Sequence, residues 1–194
     1  METKIKKYKK DKIKIEMLNF TRLILICFVF SFLCIKFIFT TVTVEGSSMY
    51  PTLIDQEKGV SNVFSTYMSE IKRFEVVVVN IKSKDERWVK RVVGLPGEKI
   101  EYKDNQLYVN DILVQENFFN EEYVKEATNN GEIGFSKDCG PFYLDDDEYF
   151  LVGDNRILSY DSRDIGPFKK KDIVSKYVVI YYPFDKIGVV SDEN

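Results

Sequence analysis

Apolar residues gather in two different ways along the chain. Residues 23–35 (LILICFVFSFLCI) are apolar except for Ser31, and after Lys36 the run resumes with Phe37, Ile38 and Phe39. As a helix, 23–39 rises roughly 25 Å, slightly short of a hydrocarbon core about 30 Å thick. Thr40 to Val44 are expected to extend it, with Arg22 and Lys36 snorkelling toward opposite interfaces. Beyond residue 44 the apolar positions recur instead in short runs, at 75–81, 88–93, 106–109, 112–114, 149–152 and 174–182. These are rich in Val, Ile, Tyr and Phe and bounded by turn residues, as antiparallel strands are. Asp104-Asn105 and Asn110-Asp111 read as hairpin turns, and Pro96-Gly97 as a further turn. Apart from the first segment, only 121–128 carries a helical period. The pattern predicts a mainly β chain: an antiparallel β ectodomain preceded by one N-terminal transmembrane helix. Residues 100–148 are expected to form a smaller inserted β lobe, with Asn129-Asn130-Gly131 as a loop within it.

Charge sharpens this division. Residues 1–22 hold eight basic and three acidic residues, a net +5, whereas the rest of the chain holds 20 basic and 28 acidic, a net −8. An acidic body leaves no broad basic surface, which argues against nucleic acid as partner. A Lys-rich end before an apolar segment is the arrangement of a signal-anchor, with the basic end in the cytoplasm. No Ala-x-Ala-like site follows the segment, so a cleaved leader fits less well. The expected organisation is a basic cytoplasmic tail at 1–22, a transmembrane signal-anchor at 23–42 and an extracytoplasmic β domain at 43–194, on the outer face of the cell membrane.

Composition then narrows the chemistry. Of three cysteines, Cys27 and Cys34 lie in the apolar segment and Cys139 stands alone in the body, so no disulfide or Cys-x-x-Cys site is available there. The chain has no histidine. Ser-His and Cys-His catalysis and nearly all zinc chemistry are thereby excluded, and no metal or organic cofactor is called for.

Three segments break the strand pattern with mixed polar residues and glycine: 45–52 (EGSSMYPT), 90–98 (KRVVGLPGE), and 153–166, beginning Gly153-Asp154-Asn155-Arg156. A serine hydroxyl needs a base to take its proton. Without histidine the base is a carboxylate or a lysine depressed several units by burial. Lys90 begins an apolar strand that could turn it inward, with Arg91 then facing the other way. From the residues alone, a surface or salt-bridge role for Lys90 stays open. So does a plain polar linker at Gly46-Ser47-Ser48.

The three segments, in this order and behind an anchor, resemble the conserved boxes of bacterial type I signal peptidases of the Gram-positive-like kind. Residues 73–78 (RFEVVV) are similar to the remaining box, where Arg-Gly-Asp-Val is more usual. The resemblance runs from about residue 20 to residue 182. It implies a membrane-bound serine endopeptidase that removes signal peptides from translocated preproteins through a Ser-Lys dyad. Ser48 would then be the nucleophile and Lys90 the general base, with the Ser48 backbone N–H in the oxyanion hole. Gly46 stands where some relatives carry a second, serine donor. Ser159 matches the serine that orients the lysine, Asp154 is expected to pair with Arg91, and Asp161 with Arg163. Ile157-Leu158 departs from the Asp-Asn that commonly fills this gap. The implied partners are extended preprotein segments with small residues before the cut, and the lipid bilayer. Self-cleaving repressors and pilin-processing peptidases use related dyads; the former carry a DNA-binding module in place of an anchor.

Overall fold

A computed structural model describes residues 2–81 and 85–190. Met1 and residues 191–194, the ends of the expected tail and ectodomain, lie outside the described residues. The chain forms two units, 1–38 and 39–194. The first is a single helix, α1 (Glu2–Ile38), whose stretch Lys12–Ile38 is long and apolar enough to cross a membrane. Its apolar side chains Leu23, Phe28, Phe32 and Phe37 are exposed.

The helix ends at Ile38, so the expected extension over Thr40–Val44 is not found. Residues Phe39–Thr43 form strand β1, paired antiparallel with β2 (Lys58–Asn62) from Phe39↔Asn62 to Thr43↔Lys58. The cause is local: Thr40, Thr41, Val42 and Thr43 are all β-branched, stiff at χ1, and fit a pleated surface better than a helix.

The second unit continues with a short helix α2 (Phe64–Met68), the central hairpin β3 (Val76–Ile81) and β4 (Glu86–Gly94), then β5 (Lys99–Lys103), β6 (Gln106–Val109) and β7 (Ile112–Val114). Helix α3 (Glu121–Ala127), β8 (Cys139–Tyr143), β9 (Glu148–Val152), the single turn α4 (Ser162–Ile165), β10 (Phe168–Lys169), β11 (Ile173–Tyr182) and β12 (Gly188–Val189) complete it. The larger sheet has the order β1-β2-β11-β3-β4-β9-β10, with β12 also on β11, and every pairing in it is antiparallel. A four-stranded antiparallel sheet, β7-β6-β5-β8, lies between β4 and β9 in the sequence. The chain is mainly β and antiparallel.

Local chemistry explains these elements. Asp104-Asn105 and Asn110-Asp111 all adopt positive φ, the geometry of the tight turns that match strand twist. Asn120 caps α3 by accepting the Glu122 N–H at 2.8 Å, and Glu121 and Glu122 complement the helix dipole. The valine run of β3 reads as continuous rather than alternating because both its faces are covered. Val76 and Val78 join Met49, Leu53 and Val89 on one side, while Val77 and Val79 join Val92, Leu151 and Ile173 on the other. A third cluster, with Ile100, Tyr102, Leu107, Phe150 and Val152, links the two sheets. Gly94 sits at that junction. A Cβ there would lie 2.6 Å from Ile100 Cγ1, so only glycine lets β4 pass so close to β5.

Candidate active site

Strand β4 places Lys90 and Arg91 on opposite faces, as the two-residue period of a strand requires. Lys90 pairs with Val77 across the sheet and Arg91 with Val76. Lys90 is 2% exposed. Its amine donates to Ser159 Oγ at 3.0 Å and lies 5.5 Å from the centre of the Trp88 ring. Among the described residues no carboxylate forms an ion pair with it. Burial is the main influence and pushes the amine down to about 8. Asp161, Asp154 and Asp164 pull it upward by their charge, and Arg163 adds to the depression. A neutral amine that donates one hydrogen to Ser159 keeps its lone pair for accepting a proton.

Ser48 lies in a turn over residues 48–52, two residues after Gly46, which adopts a φ of +80°. The turn is closed by Tyr50 N–H on the Ser47 carbonyl (3.1 Å) and Leu53 N–H on the Met49 carbonyl (2.9 Å), and buried Met49 anchors it in the core. The third motif grips the same turn. Asn155 donates its backbone N–H to the Ser48 carbonyl at 3.0 Å and its side chain to the Ser47 carbonyl at 3.2 Å. Gly153 closes the approach: a Cβ there would lie 2.2 Å from Ser159 Oγ and 2.4 Å from the Ser48 carbonyl oxygen. The Ser48 carbonyl, Gly153, the Ser159 hydroxyl and the Lys90 amine thus converge on one spot. Among the described residues, no hydrogen bond joins Ser48 Oγ to Lys90 Nζ, and the Ser48 backbone N–H has no partner.

Two buried arginine–carboxylate forks hold this convergence. Arg91 donates from Nε to Asp154 Oδ1 (2.8 Å) and from Nη2 to Oδ2 (2.7 Å), and from Nη1 to the Phe74 carbonyl (2.8 Å). Thr52 also donates to Asp154, at 2.6 Å, so one carboxylate ties β4, the Ser48 turn and the third motif together. Arg163 makes the second fork on Asp161, at 2.9 and 2.8 Å. Asp161 also accepts from Gly153 N–H at 3.0 Å and caps α4. Burial alone would raise the Asp161 carboxyl, but the hydrogen bonds and charge of Arg163 outweigh it and hold the group below the usual carboxylate range. Both pairs are fully buried, where such forks are worth keeping whole; breaking one leaves an uncompensated charge.

The structure therefore brings together Ser48, Lys90 and Ser159, and pairs Asp154 with Arg91 and Asp161 with Arg163. Reading the sequence assigned no part to Asn155, Thr52, Gly153 or Trp88. The first three lie inside the recognised segments, so the segments themselves were the available signal; nothing local marked Trp88. Arg156 was also passed over. It is buried beneath the third motif, where it donates to Glu116 (2.6 Å), the Tyr102 hydroxyl (2.9 Å) and the Gly153 carbonyl (3.1 Å).

The chain is similar to known proteins along most of its length. The profile of the family described as signal peptidase, peptidase S26, matches residues 17–182. Signal peptidase I P of Bacillus subtilis subsp. natto is 38% identical over 92% of this chain and 96% of its own length. Signal peptidase I S of Bacillus subtilis strain 168 is 38% identical over 90% and 94%. Signal peptidase I V of the same strain is 41% identical over 71% and 82%. With its family profile covering most of the sequence and full-length relatives at this identity, the chain belongs to the signal peptidase family, peptidase S26, among its bacterial type I members.

Proposed function

We propose that the chain is a membrane-anchored serine endopeptidase that removes signal peptides from translocated preproteins, with Ser48 as nucleophile and Lys90 as general base. The observation that carries this reading is the buried, depressed Lys90 amine, hydrogen-bonded to Ser159 beside the Ser48 turn. Neutral Lys90 takes the Ser48 proton as Oγ attacks the scissile carbonyl, then protonates the leaving amine. Water activated by the same amine hydrolyses the acyl-enzyme. Ser159 positions Lys90, while the unpartnered Ser48 N–H supports the oxyanion; Gly46 supplies no second side-chain donor. Asp154, Arg91, Asp161 and Arg163 hold the parts in place.

Helix α1 acts as the anchor in the lipid bilayer, with residues 1–22 cytoplasmic by their positive charge and the β unit on the extracytoplasmic face. Residues 100–148 are the inserted lobe. Among the described residues strand β1 is at the edge of its sheet and pairs only with β2, so its outer side is open to an extended substrate added as a further strand. The family likeness implies a preference for small side chains before the cut.

The test is cleavage of a purified preprotein by the full-length enzyme. Ser48→Ala and Lys90→Ala are each expected to abolish it while leaving the fold intact; full activity in either removes the mechanism. The parent kcat/KM should rise about tenfold per pH unit and level off near pH 8, since only the neutral amine accepts the proton. A limb that keeps rising toward pH 10.5 contradicts a buried Lys90.

A further inference from the structure

The segment from Glu116 to Lys137, within the insertion, carries no motif, yet it is tied to the site at three places. At its start Glu116 accepts from Arg156 at 2.6 Å. At its end Ser136 accepts from Arg163 at 3.1 Å, and Lys137 pairs with Asp164. Both ends are thus fixed to the third motif. Its middle crosses to the nucleophile turn. The Tyr123 hydroxyl donates to the Tyr50 carbonyl at 3.3 Å, and the two rings meet edge to face with centres 5.7 Å apart.

Tyr123 is itself braced. Phe119 lies 6.1 Å and Phe135 6.0 Å from its ring, and Phe119 also stacks 4.8 Å from the buried Arg156 guanidinium. Partial burial pushes the Tyr123 hydroxyl up to about 12, so it stays a donor throughout the working range. Tyr50 is two residues beyond Ser48, and its N–H closes the turn on Ser47. A clamp on Tyr50 therefore restricts the backbone dihedrals that aim Ser48 Oγ.

We propose that Tyr123 is a positioning residue for acylation, acting through Tyr50 to hold the Ser48 turn at the angle the Lys90 amine requires. This rests on Ser48 being the nucleophile. Tyr123 touches no reacting atom, so it should affect the rate of attack and leave substrate binding alone.

The experiment is a double-mutant cycle on the single-turnover acylation rate of a preprotein by the full-length enzyme in detergent. Tyr123→Leu and Tyr50→Leu are each expected to slow acylation roughly threefold to tenfold, the range an aromatic pair accounts for. KM should stay unchanged, and the double variant should be no slower than the slower single one. Losses that multiply, a raised KM with an intact acylation rate, or a parent-like rate in Tyr123→Leu would each overturn the proposal. If Tyr123→Leu fails to fold, Tyr123→Phe carries the test. It keeps the ring and removes the bond to the Tyr50 carbonyl; slower acylation at constant KM supports the clamp, and a parent-like rate rejects it. Ser48→Ala is run alongside: cleavage surviving there defeats the nucleophile assignment itself, separately from the clamp.

Discussion

A lysine whose charged form burial disfavours should cost the fold stability while it holds its proton, and the cost can be measured by Lys90→Met. Methionine matches the unbranched shape and fills the same space without a charge. The folded-state amine titrates at about 8 against an ordinary 10.5, a gap of about 2.5 units. At 1.36 kcal/mol per unit this is about 3 kcal/mol. The sign follows from proton binding. Below about pH 8 both folded and unfolded chains hold the proton, so the fold bears the whole cost of a buried ammonium. Between about 8 and 10.5 the unfolded chain holds more protons, and stability rises with pH. Above 10.5 both are neutral and the cost is gone.

Losing the hydrogen bond to Ser159 offsets part of the gain, by about 1 kcal/mol. Ser159 keeps a second partner in Asp161, so its hydroxyl is not orphaned. Lys90→Met should therefore be about 2 kcal/mol more stable than the parent at pH 7, and by about pH 10.5 the order should reverse, with the variant less stable by up to about 1 kcal/mol. The assay is denaturant unfolding of both full-length proteins in the same detergent at pH 7, 9 and 10.5, followed by tryptophan fluorescence. Trp88, the single tryptophan, lies beside the substituted side chain, so circular dichroism should accompany it. A variant less stable than the parent at pH 7, or an advantage independent of pH, refutes the reasoning.

The second fully buried lysine in the larger sheet should behave in the opposite way. Lys176 is held by both Glu75 oxygens, at 3.0 and 3.3 Å, and by the Glu70 carbonyl at 2.6 Å, so Lys176→Met should leave a buried carboxylate unpaired and destabilise by about 3–5 kcal/mol in the same unfolding assay. Gly153→Ala should cost at least about a hundredfold in kcat, because its methyl would push apart Ser159 and the Ser48 carbonyl and a misplacement of about 1 Å is enough for that loss; single-turnover cleavage at near-parent rates would show that the turn can yield.

Much of the strand pattern was legible because it is local. The positive φ values at Asp104, Asn105, Asn110 and Asp111 belong to residue types that tolerate them, and the apolar runs at β3, β4, β9 and β11 announce themselves by composition. Strand β1 was hidden because its residues follow an apolar helix directly and carry no turn signal between; their β-branching favours a strand, but the partner that pairs with them, β2, is itself the unpromising sequence Lys-Gly-Val-Ser-Asn. The site divides along the same line. Which face of β4 Lys90 occupies follows from alternation with Arg91, but its depression depends on Val77, Trp88 and the third motif, contributed from three other places in the chain or the pleat.

The insertion was illegible for a deeper reason. Besides its polar ties, it meets the site through guanidinium faces and ring edges, Arg91 against Phe118 at 4.1 Å and Arg156 against Phe119 at 4.8 Å. Such contacts impose no spacing on either partner's sequence, since a ring that stacks over an arginine plane can be supplied from any point along the chain. Catalytic groups leave a mark because the chemistry restricts each to one residue type in one setting. A brace needs only mass and reach, so many sequences could supply it. A segment that positions a site thus carries no signature in the sequence, and finding it requires the contacts rather than the motif.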